Sequence, residues 1–587
     1  MAIDRQEPPE QASPLTNGSS NMASLNNPMS ASSFVAAAQS SLDYIVSYYK
    51  RLTSISPLSQ VKPGYLRPLL PASAPESPEP WSTIQSDIER LIEPGLTHWQ
   101  SPNFMAFFPA SSTYPGMLGE LYSAAFTAPA FNWQCSPVVT ELETVMMDWM
   151  CKLFGLSEDF LSEGEGGGVI QGSASEAVVT CIVAAREKAL LQHTAGLSGE
   201  AKDQKRAEVM AKLVALGSEQ AHSSVAKGAL IAGVRHRSIH ARTEDHFALT
   251  HDSVSTALQQ CQNEGLIPFF LSLTLGTTNT CAIDDFVGLS PLLAPLQHEL
   301  WTHVDAAYAG AALILPKYQH LSAHISTFAR SIDVNMHKWL LTNFDASCLF
   351  VRRRRDLTDA LSITPAYLRN HASDAGLVTD YRDWQIPLGR RFRALKIWFV
   401  VRTYGAQGLR DHIQRHCDMG EQFGTWIRAR HDLFSVVAGP SFALNVFTIK
   451  PPTTNRHQSD TIHSTEIAEG GVTAAAAPSS SSSESPLADG VAASKPSSSA
   501  VRAAAAAAAE VSSLEANALT QAVYEAINAA GKIFITSTVV NDVYAIRVVS
   551  ANPLTDVEHV RAGFDEIVRV TEKVRGGWKW GIDVSLV

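Results

Sequence analysis

Short apolar runs alternate with longer stretches of helical spacing from about residue 113 to 395, and this alternation is the strongest constraint on the fold. The clearest strands are 213–216, 268–275, 301–304, 331–334 and 347–351. Strands separated by helix-length segments do not pair as tight hairpins, so the pattern predicts an α/β domain with a mostly parallel sheet. Such sheets bind ligands in the crevice beyond the carboxyl ends of their strands. His222, Thr277, Thr278, Asp305 and Lys338 all stand at or shortly after such ends. Placement alone therefore groups them as candidates.

At 587 residues the chain is too long for one hydrophobic core, so further domains flank this one. Residues 1–32, rich in Ser, Asn, Pro and Gln, read as a disordered tail. Residues 33–112 read as an N-terminal helical segment, with Leu42, Ile45, Val46 and Tyr49 at helical spacing and a break at Pro63-Gly64. The large domain is expected over 113–395 and a small C-terminal α+β domain over 396–587. In the latter, 442–449, 532–538 and 543–549 read as strands, and 514–530 and 556–574 as helices. A low-complexity insertion, 452–512, interrupts it with a serine run at 479–483 and an alanine run at 503–509. Lengthening a surface loop costs little closure entropy, so the serine part reads as a neutral insertion, while the alanines can extend the helix that follows.

Composition narrows the function classes. A formal charge of -11 argues against broad binding to nucleic acid or to an anionic membrane. The basic run Arg352–Arg355 follows an apolar strand and reads as a solvated strand end. No uncharged apolar run is long enough to span a bilayer. The start carries Asp4 and Glu7 with no apolar leader core. Seven cysteines without a CxxC pair point to reduced thiols in a cytoplasmic protein rather than a disulfide framework. His236, His240 and His246 stand among Arg, Ser and Thr, and no metal is expected there.

The chemistry concentrates on a few segments. Asn335-Met336-His337-Lys338-Trp339 closes one strand, and His303-Val304-Asp305-Ala306-Ala307 closes another. A lysine near one strand end and a carboxylate near another suit an aldehyde cofactor held as a Schiff base, with the carboxylate on a pyridinium nitrogen. Gly166 to Glu176 is a glycine-rich turn feeding a helix, whose free N–H groups and dipole end suit a phosphate, with Ser173 and Ser175 adding hydroxyls. Each signal alone has a plainer reading. The serine can be an ordinary N-cap, Asp305 a cap or metal ligand, His222 a structural histidine and Lys338 a surface lysine.

Together these segments resemble the aromatic-L-amino-acid decarboxylases of the pyridoxal phosphate-dependent group II family, fold type I. The likeness runs from about residue 34 to the C-terminus, apart from the insertion. It is carried by Trp99–Pro102, Ser136–Glu143, Gln171–Glu176, Gln220–Ser224, Thr274–Thr278, His303–Gly310, Asn335–Trp339 and Thr379–Arg393. It implies a PLP-dependent transferase-like α/β fold and a homodimer with its active site at the subunit interface. It further implies that Lys338 carries the cofactor, Asp305 keeps the ring nitrogen protonated, and Ala307 and His222 cover the two ring faces. Thr278 would meet the phenolic oxygen. Ser173, Ala174, Ser175, Asn335 and His337 would hold or flank the phosphate, and Tyr367 would belong to a mobile catalytic loop.

The same resemblance bears on outcome and substrate. Aldehyde synthases of the family, the alternative reading, associate with Phe at the loop tyrosine or Asn at the stacking histidine. Tyr367 and His222 therefore favour simple decarboxylation to an amine. The side-chain pocket is expected to draw on Trp99, Phe107, Phe108, Pro109, Ala110 and His222, with Pro129 and Phe131 entering from the partner subunit; Phe104 reads as core. Animal members that prefer catechols carry Tyr and Thr where this chain has Phe107 and Ala110, so two hydroxyls are absent. Gly389 matches a position where glycine accompanies indolic substrates in plant members. The expectation is tryptophan or 5-hydroxytryptophan, with DOPA, tyrosine and phenylalanine open. A non-catalytic binding role, transamination, and decarboxylation of glutamate or histidine are the rivals this pattern disfavours.

Overall fold

The structure is a computed structural model describing residues 29–363, 371–375, 377–452 and 498–579. Most of the expected tail, the serine-rich part of the insertion and Tyr367 lie outside those residues. Two compact units divide the chain, one formed by 1–55 and 59–97 and the other by 56–58 and 98–587. In the first, the helix Ala31–Arg51 opens on Ser30, whose hydroxyl accepts the Ser33 N–H. Near its end Arg51 pairs with Glu93 at 2.9 Å.

The second unit is built on a seven-stranded sheet. Its strands are β1 Gly167–Gln171, β2 Leu213–Ser218, β3 Arg235–Ile239, β4 Ile267–Thr274, β5 Trp301–Asp305, β6 Ser331–Asn335 and β7 Ser347–Val351. The spatial order is β1-β7-β6-β5-β4-β2-β3. Strands β3, β2, β4, β5 and β6 are parallel, and β7 is antiparallel to both of its neighbours. The mostly parallel α/β sheet expected from alternation is present. Two strands escaped the sequence pattern. β1 hides in the glycine run, and β3 is an edge strand whose Arg235, His236 and Arg237 mask its character.

Strand alternation separates two cores across this sheet. Leu271, Leu273, Val304, Ile332, Val334 and Phe350 enter one apolar cluster. Phe270, Trp301, Leu349 and Val169 enter the other, with Ala177, Val178 and Cys181 of the helix Ala174–His193. On that second face the strands become polar toward their carboxyl ends, through Ser272 and Thr274, His303 and Asp305, and Ser331 and Asp333.

A four-stranded antiparallel sheet follows, with β8 Phe434–Ser441, β9 Leu444–Ile449, β10 Thr536–Val540 and β11 Val543–Val549 in the order β10-β11-β9-β8. The helices Ser498–Ala530 and Val557–Gly576 supply Leu519, Val523, Ile527, Val560 and Phe564 to its core. The alanine run continues the first of these helices. The boundary expected at 395/396 falls inside the helix Arg393–Ala429, which kinks at Gly405 (φ +67°).

Residues 98–112, assigned from sequence to the N-terminal segment, belong to the second unit. Met105 N–H donates to the Phe534 carbonyl at 2.8 Å, and the Met105 carbonyl accepts from Val549 N–H at 2.9 Å. The basic run also differs from its expectation. Arg352 donates to the Ala329 carbonyl at 3.1 Å, and Arg354 donates to Ser162 and Gly166 carbonyls at 3.1 and 2.8 Å. Arg354 thus ties the chain beside β1 and Arg352 ties it to the residues before β6, and only Arg353 and Arg355 are exposed.

Candidate active site

A cavity of about 190 Å³ opens at the carboxyl ends of β4, β5 and β6. Its wall comprises Phe108, Ser173, Ala174, Ser175, His222, Thr274, Gly276, Thr278, Asp305, Ala307, Tyr308, Asn335, His337 and Lys338. Every residue expected to hold the cofactor is in that wall. Thr277, grouped with them by its place after a strand, is buried instead and bonds the Thr280 hydroxyl at 3.0 Å. The positioning follows from topology, because parallel strands with right-handed crossovers deliver their carboxyl ends to one edge.

Lys338 follows β6 on a short helix, Met336–Trp339. Burial lowers its pKa below the usual lysine value, while Asp305 and Asp333 oppose that shift. Lowering favours the neutral amine, the nucleophilic form. Its carbonyl accepts from Ser111 Oγ at 2.7 Å, and the His337 carbonyl accepts from Ser111 N–H at 2.8 Å. Asp305, at the end of β5, accepts the Ala307 N–H on Oδ1 at 3.0 Å.

His222 stands at the cavity mouth. Its Nδ1 accepts the Ser224 N–H at 3.2 Å and lies 2.9 Å from Ser224 Oγ, which leaves the ring hydrogen to Nε2. Burial lowers its pKa, with Asp305 opposing and Lys338 adding, so the ring is neutral at pH 7. His337 is anchored through Nδ1 to the backbone of Ala346, with Nδ1 2.9 Å from its N–H. Burial, then the charge of Lys338, lowers its pKa to about 4.

Ser173 caps the helix Ala174–His193 by accepting the Glu176 N–H at 3.2 Å, and Glu176 accepts the Gly172 N–H at 2.9 Å. The first-turn amides of this long helix have no helical acceptors and border the cavity. On two further wall residues, Thr274 Oγ1 and Asn335 Oδ1 are buried without a protein partner. Amides at a helix start, an amine, a carboxylate and unpartnered polar atoms around a small cavity form a donor set that fits pyridoxal phosphate.

The expected aromatic wall is only partly assembled. Phe108 lines the cavity, with Lys338 Nζ 5.8 Å from its ring centre, and stacks on Tyr308 at 3.7 Å. Phe107 is exposed and stacks on Trp99 at 5.5 Å. Phe104 is core, as expected, packed on Trp99 and Phe534. Pro109 is buried, and the Ala110 carbonyl accepts from Gln100 at 2.5 Å. Pro129, Phe131 and Gly389 lie outside the cavity wall; Gly389 is exposed, with open space where a Cβ would stand.

Two contributors were missed from sequence. Tyr308 was passed over inside the block His303–Gly310; it stacks between Phe108 and Trp339 and donates to the Phe442 carbonyl at 2.5 Å. Arg547 of β11 donates to the Thr278 and Asn279 carbonyls at 2.7 and 3.1 Å and stands over the Phe108 ring at 5.4 Å. Nothing in the local pattern Ala545-Ile546-Arg547-Val548 signals that role, since its partners lie far away in sequence. Among the described residues no cluster of His, Cys, Asp and Glu has the makings of a metal site. No described helix is long and apolar enough to cross a membrane.

Residues 63–450 match the pyridoxal-dependent decarboxylase conserved domain. Over 424 residues the chain is 45% identical to the aromatic-L-amino-acid decarboxylase of Cavia porcellus, which spans 72% of this chain and 86% of that one. Over 413 residues it is 43% identical to the phenylacetaldehyde synthase of Arabidopsis thaliana, covering 70% and 81% of the two chains. The crystal structure of Oryza sativa TDC with PLP and tryptamine superposes with a TM-score of 0.79 at 31% identity, over 94% of this chain and all of that one.

Proposed function

The chain belongs to the pyridoxal-dependent decarboxylases, and from that premise we propose that it converts aromatic L-amino acids to arylalkylamines and CO2, with tryptophan and 5-hydroxytryptophan preferred. It is a carboxy-lyase that uses pyridoxal phosphate. The observation that carries the reading is the single cavity uniting Lys338, Asp305, His222 and the Ser173–Ser175 turn beside Phe108.

When bound, pyridoxal phosphate supplies a protonated ring that takes up the electron pair released as the bond from Cα to the carboxylate breaks. The residues have the following proposed tasks. Lys338 Nζ tethers the cofactor. Asp305 keeps the ring nitrogen's proton through the oxygen that Ala307 leaves free. Ala307 and His222 confine the ring between them, and Thr278 meets its hydroxyl oxygen. Ser173, Ala174 and Ser175 hold the phosphate, flanked by Asn335 and His337. Phe108 and His222 would then orient the substrate so that the bond to its carboxylate is the one that breaks.

A proton must next reach Cα. Tyr367 is the proposed donor, since an ordinary tyrosine is protonated at neutral pH, and His222, with its hydrogen on Nε2, positions or relays it. A substrate left unprotonated at Cα can instead react with molecular oxygen, giving aldehyde, ammonia and hydrogen peroxide. Tyr367→Phe is therefore expected to divert most product to aldehyde and peroxide. Unchanged amine formation in that variant would remove Tyr367 from the role. A panel of aromatic amino acids, scored for amine, aldehyde and peroxide together, tests both the main reading and the aldehyde synthase alternative. Faster turnover of tyrosine than of tryptophan would overturn the indolic preference, which rests on Phe107, Ala110 and Gly389.

Assembly as a homodimer is supported by a large exposed apolar surface. Leu118, Leu121, Tyr122 and Phe126 on the helix Tyr114–Phe126, and Val138, Val145 and Trp149 on Pro137–Leu153, are exposed in the single chain. Exposed apolar residues grouped on helices are what an interaction surface presents. Pro129 and Phe131 lie between these helices in sequence, which agrees with their entering a partner's pocket. A cytoplasmic setting is supported by seven free cysteines, all but Cys135 buried.

A further inference from the structure

A second buried carboxylate adjoins Asp305, and it has its own cation. Asp333 is the partner of Asp305 in the β5–β6 register, so the two side chains stand on the same face of neighbouring strands. His303 lies two residues before Asp305 on that face. Its Nε2 is 3.1 Å from Asp333 Oδ1, and both side chains are fully excluded from solvent. The far side of the imidazole is also fixed: Nδ1 lies 2.8 Å from Ser331 Oγ, which accepts the Trp301 indole N–H at 2.8 Å. Phe270 stacks on the ring at 6.0 Å. Asp333 Oδ2 is buried without a partner. With the Ser331 hydroxyl donating to Nδ1, or with the ring protonated, a hydrogen on Nε2 faces Asp333.

We propose that His303 is a positioning residue whose charge neutralises Asp333, so that Asp305 alone presents negative charge to the cofactor's ring nitrogen. Two carboxylates at adjacent positions in a dry sheet interior cannot both stay ionised without a compensating cation; one of them takes up a proton. A shared proton would weaken the grip of Asp305 on a protonated ring. With His303 as imidazolium, Asp333 is balanced from within the sheet.

The surrounding groups agree with that division. Burial alone would lower the His303 pKa, but it is raised, with the Asp333 carboxylate at Nε2 favouring the charged ring. Burial raises Asp333 to about 6, with Asp305 adding to the rise and His303 and Lys338 opposing it. The remaining titratable neighbour, Cys348 on β7, is driven upward by its burial and stays a neutral thiol. A raised His303 facing Asp333 at 3.1 Å in a dry sheet interior is the arrangement of an imidazolium beside a carboxylate.

The proposal rests on Asp305 being the ring's partner, so Asp305→Asn is the reference variant. The readouts are the dissociation constant of pyridoxal phosphate from apo-protein and the pH dependence of the bound cofactor's visible absorption. In His303→Gln a new titration should appear between about pH 6 and 8, with affinity falling roughly tenfold across it, equivalent to one pKa unit. Adding Asp333→Asn to that variant should abolish the titration and restore affinity to within about threefold of the parent, a coupling that loss of packing would not produce. A titration that persists in the double variant, or a His303→Gln protein that follows the parent at every pH, overturns the proposal. Should His303→Gln fail to fold, Asp333→Asn alone decides. It should hold the cofactor within about threefold of the parent across the same pH range, and a loss of about tenfold or more would overturn the idea. If Asp305→Asn itself leaves affinity and spectrum unchanged, the site assignment has failed instead.

Discussion

The two faces of the central sheet are built from the same strands and do opposite things. On one, Leu271, Leu273, Val304, Ile332 and Val334 pack into a continuous apolar core. On the other, apolar contact gives way to Ser272, Thr274, His303, Asp305, Ser331, Asp333 and Asn335 as the strands near the cavity. The buried polar atoms without partners on β4 to β7 all fall on this second face: Ser272 Oγ, Thr274 Oγ1, Asp333 Oδ2, Asn335 Oδ1 and Ser347 Oγ. Unpartnered buried polar groups each cost about 1–3 kcal/mol. One face thus supplies stability that the other consumes in keeping polar groups where a ligand can use them.

Substitutions should separate the faces. The largest effect belongs to Lys338→Ala on the polar side. Turnover should fall by at least ~10³-fold, as for a residue that acts as a unit with its cofactor. The visible absorption of the bound cofactor should vanish, and a spectrum with added pyridoxal phosphate checks this. On the opposite face, Leu273→Ala should cost about 2–5 kcal/mol of stability, read as a lower urea midpoint, because it opens a cavity in a packed core. Its cofactor spectrum should stay as in the parent; a lost spectrum would show the faces to be coupled.

Acid offers a third comparison. Burial holds His337 near pKa 4 against an ordinary 6.5, so the unfolded chain binds more protons between those values. Stability is full above about pH 6.5 and is lost as pH falls toward 4, by on the order of 3 kcal/mol from this group. Urea midpoints of apo-protein at pH 7.5 and 5 measure the loss, and His337→Gln should reduce it. The smallest effect is expected at Gly389, which lies outside the cavity wall. Gly389→Ser should shift the kcat/KM ratio of tryptophan to tyrosine by up to about tenfold toward tyrosine, near 1.4 kcal/mol, with stability unchanged.

What could be read in the sequence follows the same division. β2, β4 and β7 are largely apolar, and β5 and β6 keep Trp301, Val304, Ile332 and Val334 between helix-length segments, which is why these strands are visible and the residues at their ends can be grouped. β1 was not visible, because its function as the turn's support needs Gly166, Gly167 and Gly168, and glycine carries no strand signature. The residues expected to hold the cofactor come in short contiguous segments, and all of them line the cavity. Arg547 was not, since it acts across 269 residues on the Thr278 carbonyl, and backbone contacts leave no mark on the sequence of their acceptor. Of the expected substrate wall, Phe108 and His222 line the cavity. Phe107, one residue away, takes φ +49° and turns outward, a reversal that a periodic pattern does not encode.

Arg547 also fixes an order of events. It clamps the Thr278 and Asn279 carbonyls from the last sheet strand, and Thr538 donates to Asn279 at 2.9 Å from β10. Phe534 and Val549 hold Met105 beside the segment that reaches Lys338. A ribosome delivers these parts from the N-terminus onward. The lysine, the aspartate and the phosphate turn therefore leave the exit tunnel long before the pieces that set Thr278 and Phe108 in place. The nascent chain must carry a half-made site through synthesis of the entire serine-rich insertion, and the supports of Thr278 and Phe108 are complete only once β11 has been made.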